Sequence, residues 1–227
     1  MQHYKSEKLE KYSWLAHGFG TKGFTLNDYL NHLGVHKAKV AQTNQVHGNG
    51  VHVLDGTEVK MLAGDGFITN QTNVVCFIRT ADCVPILLCD PEHKAVAAVH
   101  AGWRGCAGNV MRVALDKMYE HFHSNPANVK AAIGPAVCEG CYSVGEDVRQ
   151  IFVQSGLSEN NFKRATQSEK YYLDLKAAVR ERLLKVGLRK ENVETLSACT
   201  SCNPEHFVSY RQDPNTSARQ VNFILIK

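Results

Sequence analysis

Thr80-Ala-Asp-Cys83-Val-Pro-Ile-Leu-Leu-Cys89-Asp90-Pro-Glu-His-Lys94-Ala-Val-Ala-Ala-Val-His100-Ala-Gly-Trp-Arg-Gly105 carries the strongest fold signal in the chain. Two short apolar runs, 85–89 and 95–100, are separated by Asp90-Pro-Glu-His-Lys94, whose composition is that of a turn. They read as a β-hairpin, since runs of four to eight apolar or β-branched residues between turn signals are strand-like. From about Gly105 the period changes. Met111, Leu115, Met118 and Phe122 recur at the spacing of an amphipathic helix, and Asn125-Pro126 is expected to stop it.

Upstream, further strands are expected at 40–47, 50–54, 66–69 and 74–79. Downstream, the expectation is a strand at 129–133, a helix near 146–154 and a stronger helix at 173–186. In that last helix Asp174 caps and Leu175, Val179, Leu183 and Val186 form the buried stripe. Closing strands are read at 193–198, 207–210 and 221–226. Hairpins mixed with helices point to an α/β class, a single domain over 1–227 with mixed β-sheets covered by helices.

The chain has 227 residues, a formal charge of +4 and 21% charged residues in both signs without a basic block, so no stripe for nucleic acid is visible. No apolar run approaches the roughly 20 residues that cross a bilayer, and the charged start of the chain lacks a secretory apolar segment. A cytoplasmic protein is expected, and its eight cysteines are expected as thiols or metal ligands rather than disulfides.

Three motifs carry chemistry: Gln45-Val-His47-Gly, Thr80-Ala-Asp-Cys83-Val-Pro and His100-Ala-Gly-Trp-Arg-Gly105. Each sets a ligand-type residue beside a strand-like run. Two imidazoles and a thiolate match the three protein ligands of an open zinc site, whose fourth position is left for water or substrate. Copper is the other ion such a set can hold. Arg104, at a tight turn entering a helix, suits an anion such as phosphate. Asp82 is a candidate to orient an imidazole or to act as general base if the strand bends there, and Asp65 in Gly64-Asp-Gly66 is a second carboxylate candidate. Cys138-Glu-Gly-Cys141 and Cys199-Thr-Ser-Cys202 form two Cys-x-x-Cys pairs. Their separation far exceeds the roughly 15–20 residues of a zinc ribbon, so they read as paired buried thiols rather than a tetrathiolate site.

The motifs resemble the polyphenol oxidase (laccase-domain) family, whose members are also described as zinc-containing purine nucleoside phosphorylases. The likeness rests on Gln45-Val-His-Gly48, Gly64-Asp-Gly66, Thr80-Ala-Asp-Cys-Val-Pro85, His100-Ala-Gly-Trp-Arg-Gly105, Ile133-Gly-Pro135, Cys141-Tyr-Ser-Val-Gly145, Cys199-Thr200 and Phe207-Val-Ser-Tyr-Arg211. The resemblance implies one α/β domain with two mixed β-sheets between helices, zinc held by His47, Cys83 and His100, phosphorolysis of adenosine, inosine and methylthioadenosine, and deamination of adenosine. Asp82 or Asp65 would then move protons, and Arg104, Lys22 and Arg211 would hold phosphate. Lys22 stands where the family usually has an arginine, so it would act as a point charge without the planar fork. Rival readings of the same residues are a Cys–His amide hydrolase, a mononuclear copper polyphenol oxidase and a non-catalytic nucleotide-binding module. A multicopper centre needs many imidazoles, and His121-Phe-His123 is one pair on an expected helix.

Overall fold

The computed structural model describes residues 3–35, 38–41, 43–55, 62–166 and 168–227. The hairpin at its centre is formed by Val84–Asp90 and Ala95–Ala101, antiparallel in a register that runs from Ala95 opposite Asp90 to Ala101 opposite Val84. Its turn is tied by the Asp90 carboxylate, which accepts from the Glu92 N–H at 2.9 Å and meets His93 Nδ1 at 2.8 Å.

The two runs are almost wholly apolar because both faces of the hairpin are covered. Val84, Ile86, Leu88, Ala95, Ala97 and Val99 face the helices, whereas Leu87, Cys89, Val96 and Ala98 face a second sheet. That alternation is the period of two expected of strands. The hairpin lies in a six-stranded sheet ordered Val193–Thr195, Lys130–Ile133, Val84–Asp90, Ala95–Ala101, Gly66–Thr69, Val51–Leu54. The facing five-stranded sheet runs His3–Tyr4, Leu15–Gly20, Gln220–Ile226, Val74–Thr80, Lys39–Ala41. Both contain parallel and antiparallel pairs, as the mixed-sheet expectation required. Two smaller sheets accompany them, of three and two strands.

Three apolar clusters define the layers. Phe19, Phe67, Ile78, Leu87 and Ile224 fill the space between the large sheets. Val75, Phe77, Phe223 and Leu225 pack under the helix Leu26–His32. The helices Val110–Phe122, Glu146–Gln154 and Leu175–Lys185 cover the far face of the six-stranded sheet. The molecule is thus a helix, sheet, sheet, helix stack.

Several expected boundaries move, each for a local reason. Within the expected strand 40–47, the described strands are Lys39–Ala41 and Thr43–Asn44, with Gln42 outside the described residues. The chain leaves the ladder at Gln45 because that side chain takes over its bonding. The Arg79 N–H donates to Gln45 Oε1 at 2.7 Å, and Gln45 Nε2 donates to the Arg79 carbonyl at 2.8 Å. The strand expected at 193–198 ends at Thr195, since the carbonyls of Leu196, Ser197 and Ala198 all accept from the buried Lys176 ammonium. Residues 207–210 are not a strand. Phe207 is buried beside the Tyr4 ring, and the Val208 carbonyl accepts from Gln220 Nε2 rather than from a neighbouring strand. Leu173 closes the strand Tyr171–Leu173, so the last long helix begins only at Leu175, after the cap Asp174. The helix expected from Gly105 is two, Trp103–Ala107 and Val110–Phe122, divided where Asn109 takes φ 56° and caps the second. The second ends at Phe122, three residues before Asn125, and is capped by the left-handed His123. The strand Leu15–Gly20 and the helix Leu26–His32 have no counterpart in the sequence reading.

Candidate metal centre and anion cavity

Residues 81–83 carry the chain from the five-stranded to the six-stranded sheet, and Asp82 turns it with φ 82°. This crossing delivers Cys83 to the open end of the hairpin. His100 leaves the same end on the other strand, because the register sets His100 opposite Pro85 and Ala101 opposite Val84. Two residues 17 positions apart thereby become neighbours. Gly102 has to be small here: a Cβ on it would stand 3.2 Å from both Cys83 Sγ and His47 Cδ2.

His47 reaches the same point from a left-handed backbone, φ 58°. That conformation is uncommon for a residue with a side chain and is held by its surroundings. The N–H groups of His47 and Gly48 converge on the Asp65 carboxylate, at 2.9 Å to Oδ1 and 2.7 Å to Oδ2. Asp65 Oδ1 also meets His100 Nδ1 at 2.8 Å. One fully buried carboxylate therefore sets both the backbone of one histidine and the ring of the other. It leaves Nε2 of His100 as the nitrogen available to a ligand, the usual division of labour in carboxylate–histidine pairs.

One ligand atom from each of His47, Cys83 and His100 lies within 4.8 Å of the others, and the two rings meet edge to face at 4.9 Å. Exposure grades from His47 at the surface through half-buried Cys83 to buried His100. Burial pushes the Cys83 thiol up, but the hydrogen bonds and positive charge of His100 and His47 outweigh it and bring the pKa down to about 6. Burial pushes His100 down, yet its bonds to Asp65 and Cys83 prevail and raise it to about 9. A site that stabilises a thiolate among imidazoles suits a divalent cation, because the anion and the aligned nitrogens exist before the ion arrives. Two nitrogens and one sulfur with an open side fit a single zinc, and fit a single copper as well. They do not fit a multicopper cluster. The clusters of three or more candidate ligands among the described residues are this one and a set of four cysteines, and His121 and His123 join neither.

The triad opens onto a cavity of about 1070 Å³. Asp82, Trp103, Tyr142 and Tyr210 line it, together with four arginines, Arg79, Arg104, Arg211 and Arg219. Arg104 lies over Trp103 at 4.3 Å, and Arg211 over Tyr142 at 4.6 Å, each guanidinium stacked on a ring. Asp82 is in the cavity wall but does not reach an imidazole. Its Oδ1 accepts from the Thr200 hydroxyl at 2.6 Å and its Oδ2 from the Arg211 N–H at 2.7 Å.

The structure thus brings His47, Cys83, His100, Asp82, Arg104 and Arg211 to one cavity. Asp65 stands behind the triad, outside the lining, where it orients rather than faces a substrate. Lys22 is exposed and is not part of the lining; its N–H is tied to the His206 carbonyl at 2.7 Å. Arg79 and Arg219 supply charge that the sequence reading did not assign. No local pattern marks Arg79: its pairing with Gln45 spans 34 residues and forms only in the fold.

The profile of a family described as multi-copper polyphenol oxidoreductase laccase matches residues 26–227. The chain is 35% identical over 188 residues to "Purine nucleoside phosphorylase YfiH" of Escherichia coli (strain K12), covering 82% of this chain and 74% of that one. It is 30% identical over 190 residues to "Adenosine deaminase RL5" of an unknown prokaryotic organism, covering 79% and 72%. The crystal structure of YlmD from Geobacillus stearothermophilus superposes with a TM-score of 0.88 at 25% identity, over 98% of this chain and 94% of that one. That of hypothetical protein YfiH from Bacillus licheniformis gives 0.87 at 27%, over 96% and 95%. On the extent of these matches, the chain belongs to the multi-copper polyphenol oxidoreductase laccase family of enzymes.

Proposed function

We propose that the chain is a metal-dependent purine nucleoside phosphorylase acting on adenosine, inosine and methylthioadenosine, with adenosine deaminase activity at the same site. The observation that carries the proposal is a His/Cys/His triad opening onto a cavity walled by four arginines and three aromatic side chains. The arginines suit an inorganic phosphate, and Trp103, Tyr142 and Tyr210 offer flat faces for a purine. The relatives named as purine nucleoside phosphorylase and adenosine deaminase support the same reading.

His47, Cys83 and His100 are the residues proposed to hold zinc, which when bound supplies a Lewis acid at the cavity wall. The chain's own groups do the rest. Arg104 and Arg211 bind and orient phosphate against the sugar, whose developing positive charge the phosphate then meets. Asp65 fixes the His100 ring. Asp82 is the carboxylate in position to move a proton, with Thr200 and the Arg211 N–H holding its oxygens in place.

The test is chromatography of adenosine and inosine reactions with and without phosphate, beside metal analysis. Free base is expected only with phosphate, and inosine formation from adenosine without it. Cys83→Ala is expected to abolish both activities. Arg104→Met is expected to raise KM for phosphate by roughly 10- to 100-fold, the loss of a charged hydrogen bond, with KM for nucleoside little changed. Turnover that survives removal of metal, together with alkylation of Cys83, assigns the site instead to a thiolate–imidazole hydrolase.

A further inference from the structure

Four cysteines outside the cavity meet at one point. Cys138 caps and Cys141 ends the short turn Glu139–Cys141, and Cys199 and Cys202 come from the loop after Val193–Thr195. Their sulfurs all lie within 4.8 Å of one another. Cys202 Sγ is 3.4 Å from Cys141 Sγ and 3.8 Å from Cys138 Sγ, across 61 and 64 residues of sequence. This corrects the reading of the two pairs as buried thiols. Only Cys199 is buried, Cys202 is exposed, and the contacts run between the pairs as one group of four.

We propose that Cys138, Cys141, Cys199 and Cys202 form a second metal site, binding one structural zinc as a tetrathiolate. The spacing fits. With zinc–sulfur bonds of about 2.3 Å, the sulfurs of a tetrahedral site stand about 3.8 Å apart. An iron–sulfur cluster, whose thiolates bind different irons, holds its sulfurs farther apart. Cys202 approaches two sulfurs at once, which a common ion satisfies and a disulfide, joining sulfurs in twos, does not. The Cys138 N–H points at Cys199 Sγ at 3.2 Å, a donor that favours the thiolate. Two strands of chain are already aligned for it by the bridge between Ala136 and Cys199 and by the bond from the Thr200 N–H to the Ala136 carbonyl at 3.1 Å.

The position gives the ion a purpose. Val137 precedes the first ligand and Tyr142 follows the second, and both line the cavity. Thr200, next to Cys199, holds the Asp82 carboxylate. A zinc joining the two loops clamps the part of the cavity wall that holds Asp82, beside Cys83, whatever reaction that cavity performs.

Elemental analysis of the protein purified under reductant tests the proposal without reference to activity. Two zinc ions per chain are expected in the parent and one in Cys83→Ala. In the Cys83→Ala background, Cys138→Ser with Cys202→Ser is expected to remove the remaining ion. Should that variant fail to fold, titration of folded Cys83→Ala with an organomercurial in the presence of a chromophoric zinc chelator gives the same information, with one zinc expected to be released as these thiols are blocked. Cobalt-loaded Cys83→Ala is expected to show the intense sulfur-to-cobalt absorption of a tetrathiolate. A Cys83→Ala chain free of zinc, zinc retained in the Cys138/Cys202 variant, or an intact mass showing these cysteines oxidised to disulfides after reductant-free purification would overturn it.

Discussion

At the scale of single residues, Asp65 is the carboxylate behind the candidate centre that sets two of its three ligands. It is buried, and its two oxygens accept from the His47 and Gly48 N–H groups while Oδ1 also pairs with His100. Burial pushes its carboxyl up, but those bonds and the positive charge of His100 win and hold it below the usual carboxylate range. Asp65→Asn keeps the size but turns one acceptor into a donor, facing N–H groups that need acceptors. Metal affinity is expected to fall by roughly 10- to 100-fold, the usual cost of losing a carboxylate behind a ligating histidine. Competition with a chelator of known affinity measures it, and unchanged affinity removes Asp65 from the centre.

At the scale of elements, the short helix Trp103–Ala107 is the piece whose placement matters most. It follows His100, presents Trp103 and Arg104 to the cavity, and packs its Gly105 against the loop that carries His47. A Cβ on Gly105 would lie 2.8 Å from the Gly48 carbonyl oxygen, a backbone atom with little room to give. Gly105→Ala is therefore expected to cost about 1–3 kcal/mol, the range for overpacking a close contact, and to weaken metal retention by shifting His47. Gly140, where a Cβ meets nothing within 4 Å, is the control. Gly140→Ala is expected to stay within about 0.5 kcal/mol of the parent. Denaturant unfolding of both variants checks the contrast. The same helix is also held by buried Arg182, whose guanidinium donates to the Cys106 carbonyl at 3.2 Å, beside the Asn109 N–H, and to the Ala107 carbonyl at 3.1 Å.

At the scale of the whole molecule, the layers leave polar groups inside that make stability depend on pH. His17, on an inner strand of the five-stranded sheet, is 3% exposed, and its Nε2 accepts from the Ser6 N–H at 2.9 Å. Burial, with Lys5 and His3 nearby, lowers its pKa from 6.5 to about 4. The unfolded chain therefore takes up this proton first as pH falls. Stability is complete above about pH 6.5 and declines toward pH 4, by up to about 3 kcal/mol from this group. Thermal melts from pH 7 to 4.5 should show that decline, and His17→Gln, which keeps an acceptor for Ser6, should flatten it. A slope as steep in His17→Gln as in the parent rules His17 out as its source.

The separate elements are legible in short stretches of the chain. Period-two apolar runs, the Asp90-to-Lys94 turn and the helical stripe of Met111, Leu115 and Met118 are local facts, because strand and helix faces repeat within a few residues. The ligand-type residues His47, Cys83 and His100 were legible as motifs for the same reason. What those elements meet follows from the fold. Hairpin register brought Cys83 to His100, and the left-handed turn at His47 together with Asp65 closed the triad. The crossing between sheets gave the cavity Arg79 and Arg219 and left Lys22 outside. Two loops far apart in the chain set four cysteines around one point. Such meetings depend on how sheets stack and strands align over long separations, and no window of sequence contains that information.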